Sequence, residues 1–171
     1  MSRENNKIWN GLLNLQRTIM LITAVVVTII VSLSMFMRVF NKDLVGYEEI
    51  LVMVAFWLYM IGSSYGTYEK SQITADILNI YLKEGKVKSC VNLFRSLLTL
   101  TIGLIFNFWA LQFLTWALKM SVKTPVWRLP MAIGQGSIFV GLTSMSFYHL
   151  VFFYDEIKIF KLAMTKGATK I

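Results

Sequence analysis

The sequence predicts an all-α integral membrane protein with four transmembrane helices, and three observations support this class. Hydrophobic residues make up 56% of the 171 residues and charged residues only 15%, whereas a soluble domain carries about 25% charge. The mean hydropathy is +0.61. The charges are also segregated, because four segments contain none, at 18–37, 50–68, 96–118 and 129–154. About 20 apolar residues cross the roughly 30 Å hydrocarbon core, so each segment predicts one span of a single membrane domain over residues 1–171.

The residues before the first span predict a short interfacial helix over 5–17. Its apolar side chains Ile8, Leu12 and Leu15 recur at helical spacing, and Trp9 is expected at headgroup level. The first span is longer than the hydrophobic region of a cleaved signal peptide, and small residues of a cleavage site do not follow it. We therefore expect it to remain as an anchor.

A second interfacial helix is predicted over 70–84, between the second and third spans. Its apolar residues fall at i, i+4, i+7 and i+8, which is amphipathic periodicity, while Asp76 lies largely off that stripe and is a candidate for capping or orienting the helix. The apolar stripe consists of Ile73, Ile77, Ile80 and Tyr81. Gly85 is suited to end the helix. A plain polar connector is the alternative interpretation.

The distribution of basic residues predicts that both termini are cytoplasmic. With the N-terminus inside, 12 of the 17 Lys and Arg residues lie in cytoplasmic segments and 5 lie outside. This bias follows the positive-inside rule. The formal net charge of +8 is therefore explained by membrane topology, and we do not expect nucleic acid as a partner.

The membrane segments contain few side chains that could support ion transport, cofactor binding or catalysis. Proton relays and ion-coupled transporters place ionisable groups inside the bilayer, but His149 is the one ionisable side chain of that kind in the four segments. One His excludes bis-histidine haem ligation within the chain, and one Cys, Cys90, excludes an intrachain disulfide. The sequence has no phosphate-binding glycine loop, catalytic triad or metal-ligand cluster, so we expect neither enzyme activity nor a cofactor or metal in this chain.

The polar and small residues of the spans are suited to helix packing. Gly62 and Gly66 form a G-x-x-x-G element in the second span, and Ser137 and Gly141 repeat small-xxx-small spacing in the fourth. Such faces let helix backbones approach closely in lipid, within the chain or against a partner. Amide side chains add hydrogen bonds between helices, at Asn107, Gln112 and Gln135.

Three stretches in a fixed order resemble the small membrane subunit of tripartite ATP-independent periplasmic (TRAP) transporters, the DctQ-like family. They are "RVFNKDLVGYEEIL", "FWLYMIGSSYGTYEKSQITADIL" with its Ile-x-x-Asp, and "TPVWRLPMAIGQGSIFVGL" at the entrance to the last span. The resemblance covers most of residues 15–155. One position departs from it, since the family often has a His where this chain has Gln72.

The resemblance implies a subunit of the bacterial inner membrane that pairs with a much larger multi-spanning subunit. The large subunit would hold the sodium and substrate sites and move as an elevator, while this chain widens and anchors its scaffold. A periplasmic binding protein would deliver an organic acid. Contact with phospholipid is expected, and sodium is expected only in the large partner. Outer-face residues expected near the binding protein or the large subunit are Arg38, Glu48, Glu49, Trp127 and Arg128. Ordinary anchoring at the membrane interface is the alternative interpretation of these residues.

Two other functions remain open from the sequence. A self-sufficient homo-oligomeric channel or transporter would need a polar pore face, for which the available residues are Asn107, Gln112, Gln135, Ser144 and His149. The chain could alternatively anchor a respiratory enzyme complex, although a single His disfavours haem chemistry.

Overall fold

The structure, a computed structural model, describes residues 7–42, 44–69 and 86–168, and these residues form four α-helices. The helices are α1 Lys7–Val39, α2 Tyr47–Tyr68, α3 Lys86–Met120 and α4 Ala132–Ala168. Each contains a stretch long and apolar enough to cross a membrane, and the described residues contain no strand. The predicted all-α membrane architecture with four spans is therefore confirmed.

The helices extend beyond the predicted spans, mainly where the chain becomes charged. The separate interfacial helix over 5–17 is not confirmed, because residues 7–17 continue without a break into the first span. Likewise α3 begins at Lys86 rather than 96, and α4 continues to Ala168 rather than 154. Charged residues end a membrane span but not a helix, since they are compatible with helical backbone. The predicted helix over 70–84 lies outside the described residues.

The start of α1 and the end of α4 lie at the same end of the molecule. The α1–α2 loop and the α3–α4 loop contact each other at the other end, which we call the loop end. The helices α1, α3 and α4 have 33, 35 and 37 residues, so they are about 50–55 Å long, while the 22 residues of α2 give about 33 Å. The excess length of α3 and α4 projects mainly at the opposite end, which we call the terminal end. Helix α1 begins near the last turn of α2, since the ring centroids of Trp9 and Tyr68 are 5.8 Å apart.

The helices pack in the order α1–α2–α4–α3. The extensive contacts are between α1 and α2, α2 and α4, and α4 and α3. The central pair, α2 and α4, run in the same direction from the loop end. Helix α3 is attached through a seam of residues spaced alternately by three and four, the heptad pattern of left-handed helix packing. The seam residues are Leu100, Gly103, Asn107, Ala110, Leu114 and Ala117.

Small and polar side chains fill the interior, while large apolar side chains face outward. Ser64, Ser137 and Tyr148 are the largest fully buried side chains among the described residues. Large apolar residues are exposed on every helix, such as Val25 on α1 at 58% and Leu104 on α3 at 51%. In water this distribution would be unfavourable, but in lipid it is expected, because close backbone approach and hydrogen bonds drive helix association there.

Candidate functional site

At the loop end, one carboxylate connects the two loops. Glu49, in the first turn of α2, accepts hydrogen bonds from the backbone N–H of Val126 at 2.8 Å and of Trp127 at 2.9 Å, one on each oxygen. Because the side chain comes from the α1–α2 side and the amides come from the α3–α4 loop, Glu49 fixes the position of one loop on the other.

Gly46 makes the close contact between the loops sterically possible. It has φ of 85°, a left-handed conformation that L side chains rarely adopt. A Cβ at this position would lie 2.6 Å from Nε1 of Trp127 and 2.7 Å from Cγ1 of Val126. The turn that starts α2 therefore requires glycine for its backbone angle and for the space that the α3–α4 loop occupies.

The α3–α4 loop is itself closed by hydrogen bonds between its two sides. Thr124 donates its N–H to the Leu129 carbonyl at 2.9 Å, and its hydroxyl accepts from the Leu129 N–H at 3.0 Å. Met131 donates to the Val122 carbonyl at 3.0 Å. Arg128, at the tip, has φ of 51°. A loop tied at its base and held by Glu49 presents Trp127 and Arg128 on a fixed backbone.

The surface of the loop end is cationic and partly apolar. Its exposed cations are Arg38, Lys42, Lys119, Lys123 and Arg128. No ion pair joins any of these cations to a carboxylate among the described residues. Glu48 and Glu49 are the described acidic residues at this end, and Glu49 is engaged with the loop. Trp127 is 55% exposed beside them. An acidic or anionic surface would complement this end of the molecule.

A cleft of about 350 Å³ opens beside the joined loops, between the end of α1 and the start of α2. Arg38 and Glu48, two of the predicted outer-face residues, line it together with Ser34 and Tyr47. The other three predicted outer-face residues, Glu49, Trp127 and Arg128, belong to the joined loops. The structure therefore brings all five predicted residues to one end, in two adjacent groups.

The predicted packing residues take different positions. Gly141 on α4 lies against α2, where an added Cβ would be 2.7 Å from the Cβ and 3.0 Å from the carbonyl oxygen of Met60. Ser137 is fully buried and donates to the Gly134 carbonyl at 2.6 Å. Gly62 lies on the other side of α2, where its Cβ would be 3.7 Å from the Met20 sulfur on α1. The two small-residue elements thus serve separate helix contacts, and Gly66 is half-buried in the same helix as Gly62.

A buried polar cluster toward the terminal end was not predicted from the sequence. Gln16 on α1 donates through its amide to the Ser64 hydroxyl on α2 at 3.2 Å, and accepts from the Tyr148 hydroxyl on α4 at 2.9 Å. Trp9 covers this cluster, with its ring centroid 5.8 Å from Tyr68 and 5.6 Å from Tyr148. One glutamine therefore joins three helices, and we call Gln16, Ser64 and Tyr148 the polar triad.

The side chains considered for a pore do not line one passage. The Thr143 hydroxyl lies 3.2 Å from Oδ1 of Asn107 between α3 and α4, and Ser144 donates to the carbonyl four residues before it in its own helix. Gln135 is 7% exposed, whereas Gln112 is exposed on α3. His149 is half-buried on α4. The described residues contain no group of three metal-ligating side chains. Ile73, Asp76, Ile77 and Tyr81 lie outside the described residues.

Comparison with known proteins identifies the family. A family model described as "Tripartite ATP-independent periplasmic transporters, DctQ component" matches residues 27–158. The matched segment includes the last 13 residues of α1, all of α2 and α3, both joined loops and most of α4. A comparison with curated proteins found no match. The family match covers well over half of the chain, and the four apolar helices fit a membrane component. This chain belongs to the DctQ component family of tripartite ATP-independent periplasmic transporters.

Proposed function

We propose that this chain is the small permease subunit of its transporter, and that it scaffolds and anchors a large elevator-type subunit in the bacterial inner membrane. The DctQ match over residues 27–158 is the observation that carries the proposal. The packing supports it, because a row of helices with broad exposed apolar faces offers lateral surface to lipid and to a larger membrane protein.

In this proposal the large subunit carries sodium coupling and substrate translocation. The described spans of this chain contain no group of carboxylates or other metal ligands, and their polar residues are distributed over separate helix contacts. The substrate would be an organic acid delivered by a periplasmic binding protein. Sodium would bind the large subunit, and phospholipid would cover the remaining apolar surface.

The loop end would face the periplasm and the terminal end the cytoplasm. The positive-inside bias of 12 against 5 supports this orientation. The loop end would then lie where a periplasmic binding protein docks. Its fixed backbone, exposed Trp127 and cationic side chains are suited to a partner with acidic and apolar surface.

Affinity purification tests the scaffold role directly. The tagged chain would be extracted from its native membranes in mild detergent and its associated proteins identified by mass spectrometry. A stoichiometric, much larger multi-spanning protein is expected, together with no sodium-driven uptake when this chain is reconstituted alone. A homo-oligomer that transports substrate by itself would contradict the proposal and favour the pore alternative.

Charge reversal tests the loop end as a docking surface. Arg128→Glu should slow association with the binding protein, and the loss should be largest at low salt, because long-range attraction is screened by ions. Lys7→Glu at the opposite end is the matched control and should leave association unchanged. Equal association rates for the two variants would remove Arg128 from the docking surface.

A further inference from the structure

Helix α3 exposes an aromatic stripe beside the seam that joins it to α4. Four large rings recur at the same alternating spacing as the seam, shifted by one residue: Phe106, Trp109, Phe113 and Trp116. They form two contacting pairs, with centroids 5.7 Å apart for Phe106 and Trp109 and 6.3 Å apart for Phe113 and Trp116. Each ring is 45–56% exposed, depending on the residue. We call these four residues the α3 aromatic stripe.

Two polar groups on this side of α3 lie deep in the expected membrane. Trp109 is ten residues before Lys119, which places it about 15 Å from the charged end of the helix, near the middle of a 30 Å core. Gln112 is about 10 Å from that end. No hydrogen bond involves the Trp109 indole or the Gln112 side-chain amide in the part of the chain that the structure describes. Both carry N–H donors that lipid tails do not satisfy.

Three exposed threonines of the spans do not have this problem. Thr28 on α1 donates to the Ala24 carbonyl, and Thr101 and Thr115 on α3 donate to carbonyls of their own helix. A hydroxyl can reach the preceding turn, but an indole or a carboxamide cannot do so easily. The large exposed side chains of α1 include Leu21, Val25 and Ile29, which are entirely apolar. The two faces therefore differ chemically, and α1 presents a surface suited to lipid.

We propose that the α3 aromatic stripe, together with Gln112, is the surface on which the large membrane subunit docks. This inference rests on the proposed scaffold role and specifies its interface. The partner would present a transmembrane helix face of small residues, into which the rings insert. It would also present a carbonyl, hydroxyl or amide for Gln112 and Trp109, since polar side chains of membrane helices are satisfied at helix interfaces.

Shape favours a different protein over a second copy of this chain. If two copies met stripe to stripe, four large rings on each side would hold the α3 backbones apart and keep the Gln112 side chains from each other. A face of small residues has the complementary shape, because close backbone approach lets large side chains and amides reach their partners. The stripe is thus suited to a heterologous contact.

Site-directed photo-crosslinking in native membranes tests the surface. A benzophenone amino acid would replace Trp109 or Phe113 on the stripe. Matched controls would carry it at Leu111, an exposed residue of the same helix that faces away from Trp109, and at Ile29 on α1. We expect adducts with the co-purifying large subunit at Trp109 and Phe113, and adducts with lipid at the controls. Adducts with a second copy or with lipid alone at the stripe, or equal protein adducts at the controls, would overturn the proposal.

Substitutions provide a second readout. Phe113→Ala should reduce recovery of the large subunit, whereas Leu111→Ala should not. Gln112→Leu should weaken the association roughly threefold to tenfold, the range expected for one hydrogen bond between membrane helices. Folding of each variant would be checked by its thermal transition in detergent, which exposed substitutions should leave unchanged. If the stripe variants and the control variant lose the large subunit equally, the result would count against the docking surface.

The outcomes separate this inference from the proposed function. If the unmodified chain co-purifies with the large subunit but the stripe does not crosslink to it, the scaffold role stands and the docking surface is wrong. If the unmodified chain brings down no large membrane subunit, the proposed function itself fails.

Discussion

Substitution of Gly141 by alanine should separate α2 from α4 and destabilise the protein. The added Cβ would lie 2.7 Å from the Cβ of Met60, 3.0 Å from its carbonyl oxygen and 3.2 Å from its carbonyl carbon. Two of these three atoms belong to the backbone of α2, so a change of rotamer cannot remove the clash. Relief requires movement of one helix relative to the other, at an expected cost of about 1–3 kcal/mol for overpacking.

Gly136→Ala is the matched control for this measurement. It lies in the same helix, and a Cβ there would have no atom within 4 Å. Both substitutions gain up to about 1 kcal/mol because alanine is the better helix former, so the difference between the two variants isolates the packing cost. Gly136→Ala should be neutral or stabilising, and Gly141→Ala less stable than Gly136→Ala by about 1–3 kcal/mol.

Reversible unfolding in detergent, followed by circular dichroism, would measure both free energies of unfolding. Met60→Ala combined with Gly141→Ala makes the test sharper, because alanine retains the Cβ and the carbonyl that cause the clash. The double variant should therefore not recover the stability lost by Gly141→Ala. Equal stability of the two glycine variants, or full rescue by Met60→Ala, would refute the proposed close contact between α2 and α4.

Four further substitutions test the loops and the polar triad. Gln16→Leu should destabilise the protein more than Tyr148→Phe, because it leaves two hydrogen-bonding partners unsatisfied instead of one. The expected cost is about 1 kcal/mol for each hydrogen bond, and equal unfolding free energies of the two variants would contradict the triad. Glu49→Ala should speed amide hydrogen exchange at Val126 and Trp127, whereas unchanged exchange would show that the carboxylate does not hold the loop. Gly46→Ala should displace the Trp127 indole and alter its fluorescence spectrum, which is isolated by subtracting the spectrum of a variant that lacks this tryptophan. A Trp127 spectrum equal to that of the unsubstituted protein would rule out the close contact.

The membrane spans could be predicted because a long run of uncharged residues can be recognised in the sequence without knowing its contacts. A segment of about 20 uncharged residues must cross or be buried, whatever it packs against. The helix ends could not be predicted in the same way. Lys86–Arg95 and the residues after Tyr154 are charged but compatible with helix, so the helices continue where the hydrophobic signal stops. Residues 7–17 of the predicted interfacial helix belong to α1 for the same reason.

The candidate site was predictable in its residues but not in its contacts. The two acidic residues at the start of α2 are equivalent in sequence, since both suit a helix N-terminus. Only the fold distinguishes them, because Glu49 meets amides of a loop 77 and 78 residues away while Glu48 lines a cleft. Gln16 gave no recognisable signal, because it lies next to Arg17 in a polar stretch and its two partners are far along the chain.

The order of the helices has a consequence for how the protein is made. Helix α3 has its extensive contacts with α4, which is synthesised after it, and among the described residues has none with α1 or α2, which are synthesised before it. During insertion α2 can pair with α1 as soon as it is added, but α3 must wait until about 30 more residues have been added. At roughly 5–20 residues per second this interval lasts about two to six seconds. Throughout it the Asn107 amide lacks Thr143, so this nascent helix would depend on the insertion machinery for protection.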